Sequence, residues 1–495
     1  MRRLTNKENH KEIKRGSTGL ALKAGIWYVI STFLVKGLSF ITTPIFSRLL
    51  SKEAYGEFSN FASWQVLLLI ITGAEMHNTV ARAYYDYKED FDGYVSTVTL
   101  VSCGFTLLLY GLFLLCGDWI YQIISIPKEY VHILFFMLMF QSCKQIYMTR
   151  ERTLYRYKSV AAISMIDLLI PTVIAVILVV LAQEPQRLSS RIYGFYVPSA
   201  LIGMICALLM LKRSKSFRWK YCKYAFVLSL PLMVHYLTAH LLTSSNTIVT
   251  KWVLGAEAVS AVSIASSANH ILTILLSAVS GAVTTWLMDN LEQENIKMAR
   301  KGTLLYIAGI AVVAIGVMLL SPELIWILGG SKYADSVLLM PGMVTSVFIQ
   351  SATTIFTIML TFRKKVVKTA LYTGIVSLAT VAAKYFLLPI FGVQMLPLVN
   401  IAAFAILLFV NYLLVRRYDC GKYVNFKGIL AVIGIVCLIM AGCFLLYQNT
   451  IVRYSVIAAL LLISGIVLYK HRKMMIKLVK SKLGKKKKNI EHTEE

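Results

Sequence analysis

The sequence predicts an all-α integral membrane protein with about fourteen transmembrane helices and both termini in the cytoplasm. Three observations carry that prediction. Mean hydropathy is +0.68, with 57% hydrophobic and 15% charged residues over 495 positions, too apolar for a soluble chain of this size. Apolar runs long enough to cross the roughly 30 Å hydrocarbon core as helices recur along the chain. The Lys and Arg residues between those runs alternate, dense on one side and sparse on the other, as the positive-inside bias requires.

A polar segment, 1–22, comes first and is read as cytoplasmic. The apolar run after it is too long for the core of a secretory signal and lacks a small-residue cleavage site, so the first span is expected to be retained. Spans are then expected at 23–46, 57–77, 94–116, 131–149, 160–182 and 191–211, forming a first six-helix bundle over 23–211. Six more, at 225–250, 258–288, 303–320, 337–361, 370–391 and 395–415, form a second bundle over 225–415. Runs at 428–447 and 454–469 add two further helices, and a basic cytoplasmic tail covers 470–495. The first and seventh spans each carry a proline, Pro44 and Pro231, and embedded polar groups. That weak repeat suggests two halves with a cavity between them near the midplane.

The net charge of +27 belongs to loop ends and the tail, so it sets membrane orientation and gives no reason to expect nucleic acid. The tail's Lys485–Lys488 run would attract anionic lipids, or simply solubilise a frayed end. Eight cysteines carry no C-x-x-C pair or metal-ligand spacing, and neither a disulfide framework nor a metal is expected. No phosphate-binding, dinucleotide or nucleophile-elbow motif is present, so no cofactor is expected. No connecting segment is long enough to hold an inserted catalytic domain, which argues against a membrane glycan polymerase or ligase.

Polar groups at membrane depth are the remaining candidates, because a charge there is costly and usually functional. Lys36, near the middle of the first span, reads as a cationic cavity residue or as the partner of a buried carboxylate. In the seventh span Pro231, His235 and Asn246 share a helix face, which reads as a gate or sugar-contacting surface, whereas His240 lies off it. Ser260, Ser263, Ser267 and His270 form a small-residue stripe better explained by helix packing. Glu75, His77 and Arg82 cluster at the inner end of the second span; Arg82 could meet a phosphate, and Glu75 could couple an ion. Asp167, just before Pro171, could be a proton or sodium site or the partner of Lys36. Lys144 and Lys384 lie close enough to span ends for snorkelling to explain them.

The hairpin from Pro44 to Phe58, with Arg48-Leu49-Leu50-Ser51 and Glu53-Ala54-Tyr55-Gly56-Glu57-Phe58 placed at a loop and turn, resembles the polysaccharide (O-antigen-type) flippases. Val253-Leu254-Gly255-Ala256-Glu257-Ala258-Val259 with Ser263-Ile264-Ala265, and Leu387-Leu388-Pro389-Ile390-Phe391-Gly392-Val393, continue the resemblance, which runs from about Ala21 to Val415. The chain departs from the family at Asn246-Thr247, where Asp-Arg is usual, and at Lys384, where Asn is frequent. That departure raises Lys384 to a substrate-site candidate beside Lys36, Arg82, His235 and Asn246. The resemblance implies a MATE-like arrangement of two six-helix bundles, of the MOP superfamily. It implies movement of an undecaprenyl-pyrophosphate-linked oligosaccharide from the inner to the outer leaflet of a bacterial membrane, with H+ or Na+ coupling and with polysaccharide polymerase and glycosyltransferases as partners. A drug or organic-cation antiporter and a peptidoglycan-precursor or teichoic-acid flippase are the alternatives on the same fold.

Overall fold

The computed structural model describes residues 37, 38 and 40–462; Lys36 and the basic tail lie outside them. Among the described residues there is no strand. The first half contains α1 (40–49), α2 (Lys52–Thr72), α3 (Val80–Asp86), α4 (Phe91–Leu115), α5 (Gly117–Ile124), α6 (Lys128–Thr153), α7 (Tyr157–Leu181) and α8 (Arg187–Arg213). The second contains α9 (Trp219–Glu292), α10 (Ile296–Leu319), α11 (Ser321–Gly329), α12 (Met340–Phe362), α13 (Val366–Phe391) and α14 (Met395–Arg417). Then come α15 (Phe426–Leu446) and α16 (Thr450–Leu462). Nine helices among the described residues are long and apolar enough to cross a membrane, and the chain is a multi-pass membrane protein.

One of those nine, α9, is 74 residues long. A straight helix of that length would measure about 110 Å, more than three times the hydrocarbon core. It breaks at Gly255, where φ is +82° and ψ −179°, a conformation essentially reserved for glycine. The seventh and eighth runs of the sequence are thus the two arms of one broken helix.

The Tyr55-Gly56 pair, expected at a turn, lies inside the first turns of α2. Ser51 caps that helix, its side chain accepting from the Ala54 amide at 3.1 Å, as N-terminal serines do. Gly56 is needed for a different reason. A Cβ there would sit 1.8 Å from the Ala256 carbonyl oxygen, so α2 lies against the backbone just past the α9 break. Helix α2 also ends at Thr72, short of the expected 77, and Glu75 follows in a left-handed turn with φ +53°.

Helix α12 is the buried axis of the second half, packed by α9, α10, α14 and α15. One large apolar cluster surrounds it, whereas the first half has two smaller ones, at opposite ends of its helices. Between the latter runs a polar tie: Lys144 on α6 donates to Asp167 on α7 and Ser199 on α8, at 2.6 and 2.9 Å.

Candidate functional site

The halves are fastened at the ends the charge bias assigns to the outside. The C-terminus of α1 leaves carbonyls without helical partners. Lys332 donates to Leu50 O at 2.5 Å and Arg187 to Leu49 O at 2.8 Å. In return α1 supplies donors to the end of α11: Ser47 to Leu328 O at 2.5 Å and Arg48 to Ile327 O at 3.1 Å. Ion pairs Lys52–Glu257, at 3.2 Å, and Lys251–Glu57 flank the Gly255 break. The family-like hairpin residues are therefore the fastening itself.

Beneath this closure lies a cavity of about 490 Å³ between α2, α8, both arms of α9, α12 and α14. Its walls carry many hydroxyls and amides, including Ser59, Thr243, Asn246, Ser267, Gln350 and Asn400, with His240 and His270, set among apolar side chains such as Phe58, Val66, Val347 and Phe404. Among the described residues, no Asp or Glu lines it. A second hollow of about 280 Å³ shares Thr273, Val347 and Gln350 with it and extends along α9, α10 and α12 through Ser280, Tyr306 and Thr354, towards the inner face.

Asn246 is the predicted site residue that reaches the cavity wall. Its Oδ1 accepts from Lys384 Nζ at 2.7 Å and from Asn400 Nδ2 at 3.0 Å. Lys384 is fully buried and also donates to Ser245 Oγ at 2.8 Å and Leu242 O at 3.3 Å. Snorkelling is thus the wrong account of this lysine. Its ammonium ends among neutral oxygens of the first α9 arm, and it makes no ion pair among the described residues. It orients Asn246 from behind instead of lining the cavity. Snorkelling also fails for Lys144, which is 5% exposed and paired with Asp167.

Among the described residues, the remaining predicted groups are not brought together with Asn246. Asp167 is the partner of Lys144, and its second oxygen accepts from Ser199 at 2.8 Å. Arg82 is exposed at the inner end and faces Asp86 at 3.4 Å. The Asp86 carboxyl is held below the usual carboxylate range, chiefly by a hydrogen bond from the Tyr224 hydroxyl. Glu75 accepts from Asn78 at 2.6 Å, a local turn contact. His235 lies on the first α9 arm with its Nδ1 buried and unpartnered, outside the cavity lining. Ser263, Ser267 and His270, which the sequence assigns to packing, do line it, as does His240, which lies off the predicted face of its span.

Sequence reasoning missed Arg191. This residue of α8 is 8% exposed and lines the cavity at its closed end. Its guanidinium carbon lies 3.6, 4.1 and 5.0 Å from the ring centroids of Phe58, Phe46 and Tyr55, and its Nη1 has no hydrogen-bond partner.

Comparison with known proteins bears on the family and the fold. A family model described as polysaccharide biosynthesis protein matches residues 21–287, bearing out the resemblance read from the hairpin. A Haemophilus influenzae protein described as Lsg locus putative protein 1 is 22% identical over 328 residues, 63% of this chain and 78% of its own. The lipid II flippase MurJ, in an inward closed conformation, superposes with a TM-score of 0.70 at 15% identity, over 91% of this chain and 100% of that one. An inward-facing multidrug resistance MATE transporter of the MOP superfamily gives 0.58 at 13% identity, over 81% and 98%. At such identities the two structures establish a shared fold.

Proposed function

Because the chain belongs to the polysaccharide biosynthesis protein family, we propose that it is a flippase for undecaprenyl-pyrophosphate-linked oligosaccharides. It moves them from the inner to the outer leaflet of a bacterial cytoplasmic membrane during assembly of a surface polysaccharide. The two six-span halves, 23–211 and 225–415 of a fourteen-span chain, rock about the cavity so that it opens to one side at a time. Polysaccharide polymerase and glycosyltransferases are its functional partners.

The observation that carries this reading is the cavity's composition. Many small hydroxyl and amide groups suit a sugar surface, which offers donors and acceptors in every direction. The prenyl tail needs no cavity, because lipid solvates it. A cation antiporter would want a carboxylate at depth to compensate its substrate, and none of the described lining residues is one. The fastened outer ends and the inward-running second hollow fit the loading half of a cycle. The likeness to the MurJ fold favours, as the second reading, a peptidoglycan-precursor lipid over a teichoic-acid precursor.

Proteoliposomes holding the purified chain distinguish these readings. Externally added fluorescent undecaprenyl-pyrophosphate oligosaccharide is expected to become protected at a protein-dependent rate. Uptake of organic cations with no movement of lipid-linked glycan would replace the flippase by the antiporter.

A further inference from the structure

We infer that Arg191 is an oxyanion-binding subsite at the blind end of the cavity, which takes an anionic group carried by the substrate. The inference rests on the flippase reading for the identity of that substrate, but its geometry is independent of it. An arginine is the residue best shaped to meet a carboxylate or phosphate, through paired N–H donors in a fixed plane. In folded proteins a guanidinium this buried normally has an anion or carbonyl against each edge. Here Phe46, Tyr55 and Phe58 surround the group, and Nη1 donates to nothing. The aromatic contacts attract the charge and hold the plane in place, and the Tyr55 hydroxyl is a hydrogen-bond partner of the guanidinium, yet Nη1 is left unsatisfied. A buried donor left unmade is expensive, and an arriving oxyanion removes that penalty. The described residues lining the cavity supply no competing carboxylate, so an anion there meets a preorganised cation and no repulsion from them.

The position along the membrane narrows the source of the anion. Arg191 lies four residues from the outer end of α8, whereas Arg213 marks its inner end, roughly 33 Å away at 1.5 Å per residue. With the outer ends fastened, a lipid entering from the inner leaflet keeps its pyrophosphate near the inner headgroups while its glycan extends along the cavity. The group that first reaches Arg191 is then an acidic substituent of the glycan, such as a uronate. The pyrophosphate is the second source, reaching Arg191 only after the lipid has moved. Both present the same chemistry to the guanidinium.

Thermal unfolding of the full chain in detergent provides the test, with three soluble probes: a uronate-containing tetrasaccharide, inorganic pyrophosphate and the neutral maltotetraose. Wild type is expected to be stabilised by at least one of the two anions in a concentration-dependent way. Arg191→Gln should weaken that response at least tenfold and leave any maltotetraose response unchanged. A response to the uronate alone assigns the glycan as the source; a response to pyrophosphate assigns the linker. If Arg191→Gln does not fold, Arg191→Lys keeps the charge without the planar fork and should weaken the same response about threefold or more. Anion responses equal in wild type and variant, or absent from wild type, overturn the subsite. Failure of the flippase reading would look different: wild type would move no lipid-linked glycan while its Arg191-dependent anion response persisted.

Discussion

Two buried lysines in this chain do different work, and each makes a prediction. Lys144 is paired with Asp167, so removing one partner leaves an uncompensated charge, a change that costs about 3–5 kcal/mol. Lys144→Ala should therefore lower the thermal midpoint in detergent sharply. Lys144→Met combined with Asp167→Leu should recover most of the loss, because apolar replacement of a whole pair is often neutral. Equal destabilisation of the single and double variants would contradict a pairing role. Lys384 ends among neutral oxygens, and it holds the amide of Asn246 towards Asn400. Lys384→Met keeps the volume and removes that hold, so flipping should fall several-fold with the protein still folded, as measured in proteoliposomes. Asn246 was legible because its helix face could be drawn from spacing alone. Arg191 was not, because it stands near a span end, where a basic residue reads as an interfacial anchor. Its cage is assembled from Phe46, Tyr55 and Phe58 on α1 and α2, far away in the sequence. Nor could spacing say that Lys144 and Asp167 meet across α6 and α7.

Helices were the easiest elements to find, because hydropathy and length define them without tertiary information. The breaks were harder. Tyr55-Gly56 looks like a turn by composition, yet Gly56 serves the approach of α2 to Ala256. Gly56→Ala should push these elements apart and lower stability even though alanine is the better helix former. Gly255→Ala meets open space but forces a φ of +82° on a residue with a Cβ, at about 1–3 kcal/mol. Thermal unfolding reads both; a stabilised Gly255→Ala variant would mean that the break is not needed. At the outer closure, Arg48→Ala with Lys332→Ala removes one donor to each of the α1 and α11 ends. A cysteine introduced at Ser59, on the cavity wall, should then react faster with a membrane-impermeant thiol reagent added from outside. An unchanged rate would show that other contacts hold this side shut.

For the molecule as a whole, the all-helical membrane fold followed from hydropathy and charge alternation, and its MATE-like class from the family-like hairpin. A cavity between two halves was expected from the weak repeat, but its lining was not, because the walls come from five helices, one of them broken, and small residues look the same whether they pack or face a void. Ser263, Ser267 and His270 illustrate this: one helical stripe satisfies both readings, and only the separation of α9 from α2 and α12 decides between them. The physical account requires that the polar cavity be the path of a sugar headgroup. The most direct test fills it. Flipping of fluorescent undecaprenyl-pyrophosphate oligosaccharide should be compared between wild type and Ser267→Trp, reconstituted at equal amounts and shown to unfold at similar temperatures. The account predicts at least a tenfold loss in the filled chain. Equal rates in the two proteins would mean that the glycan crosses elsewhere and that this cavity is not the transport site.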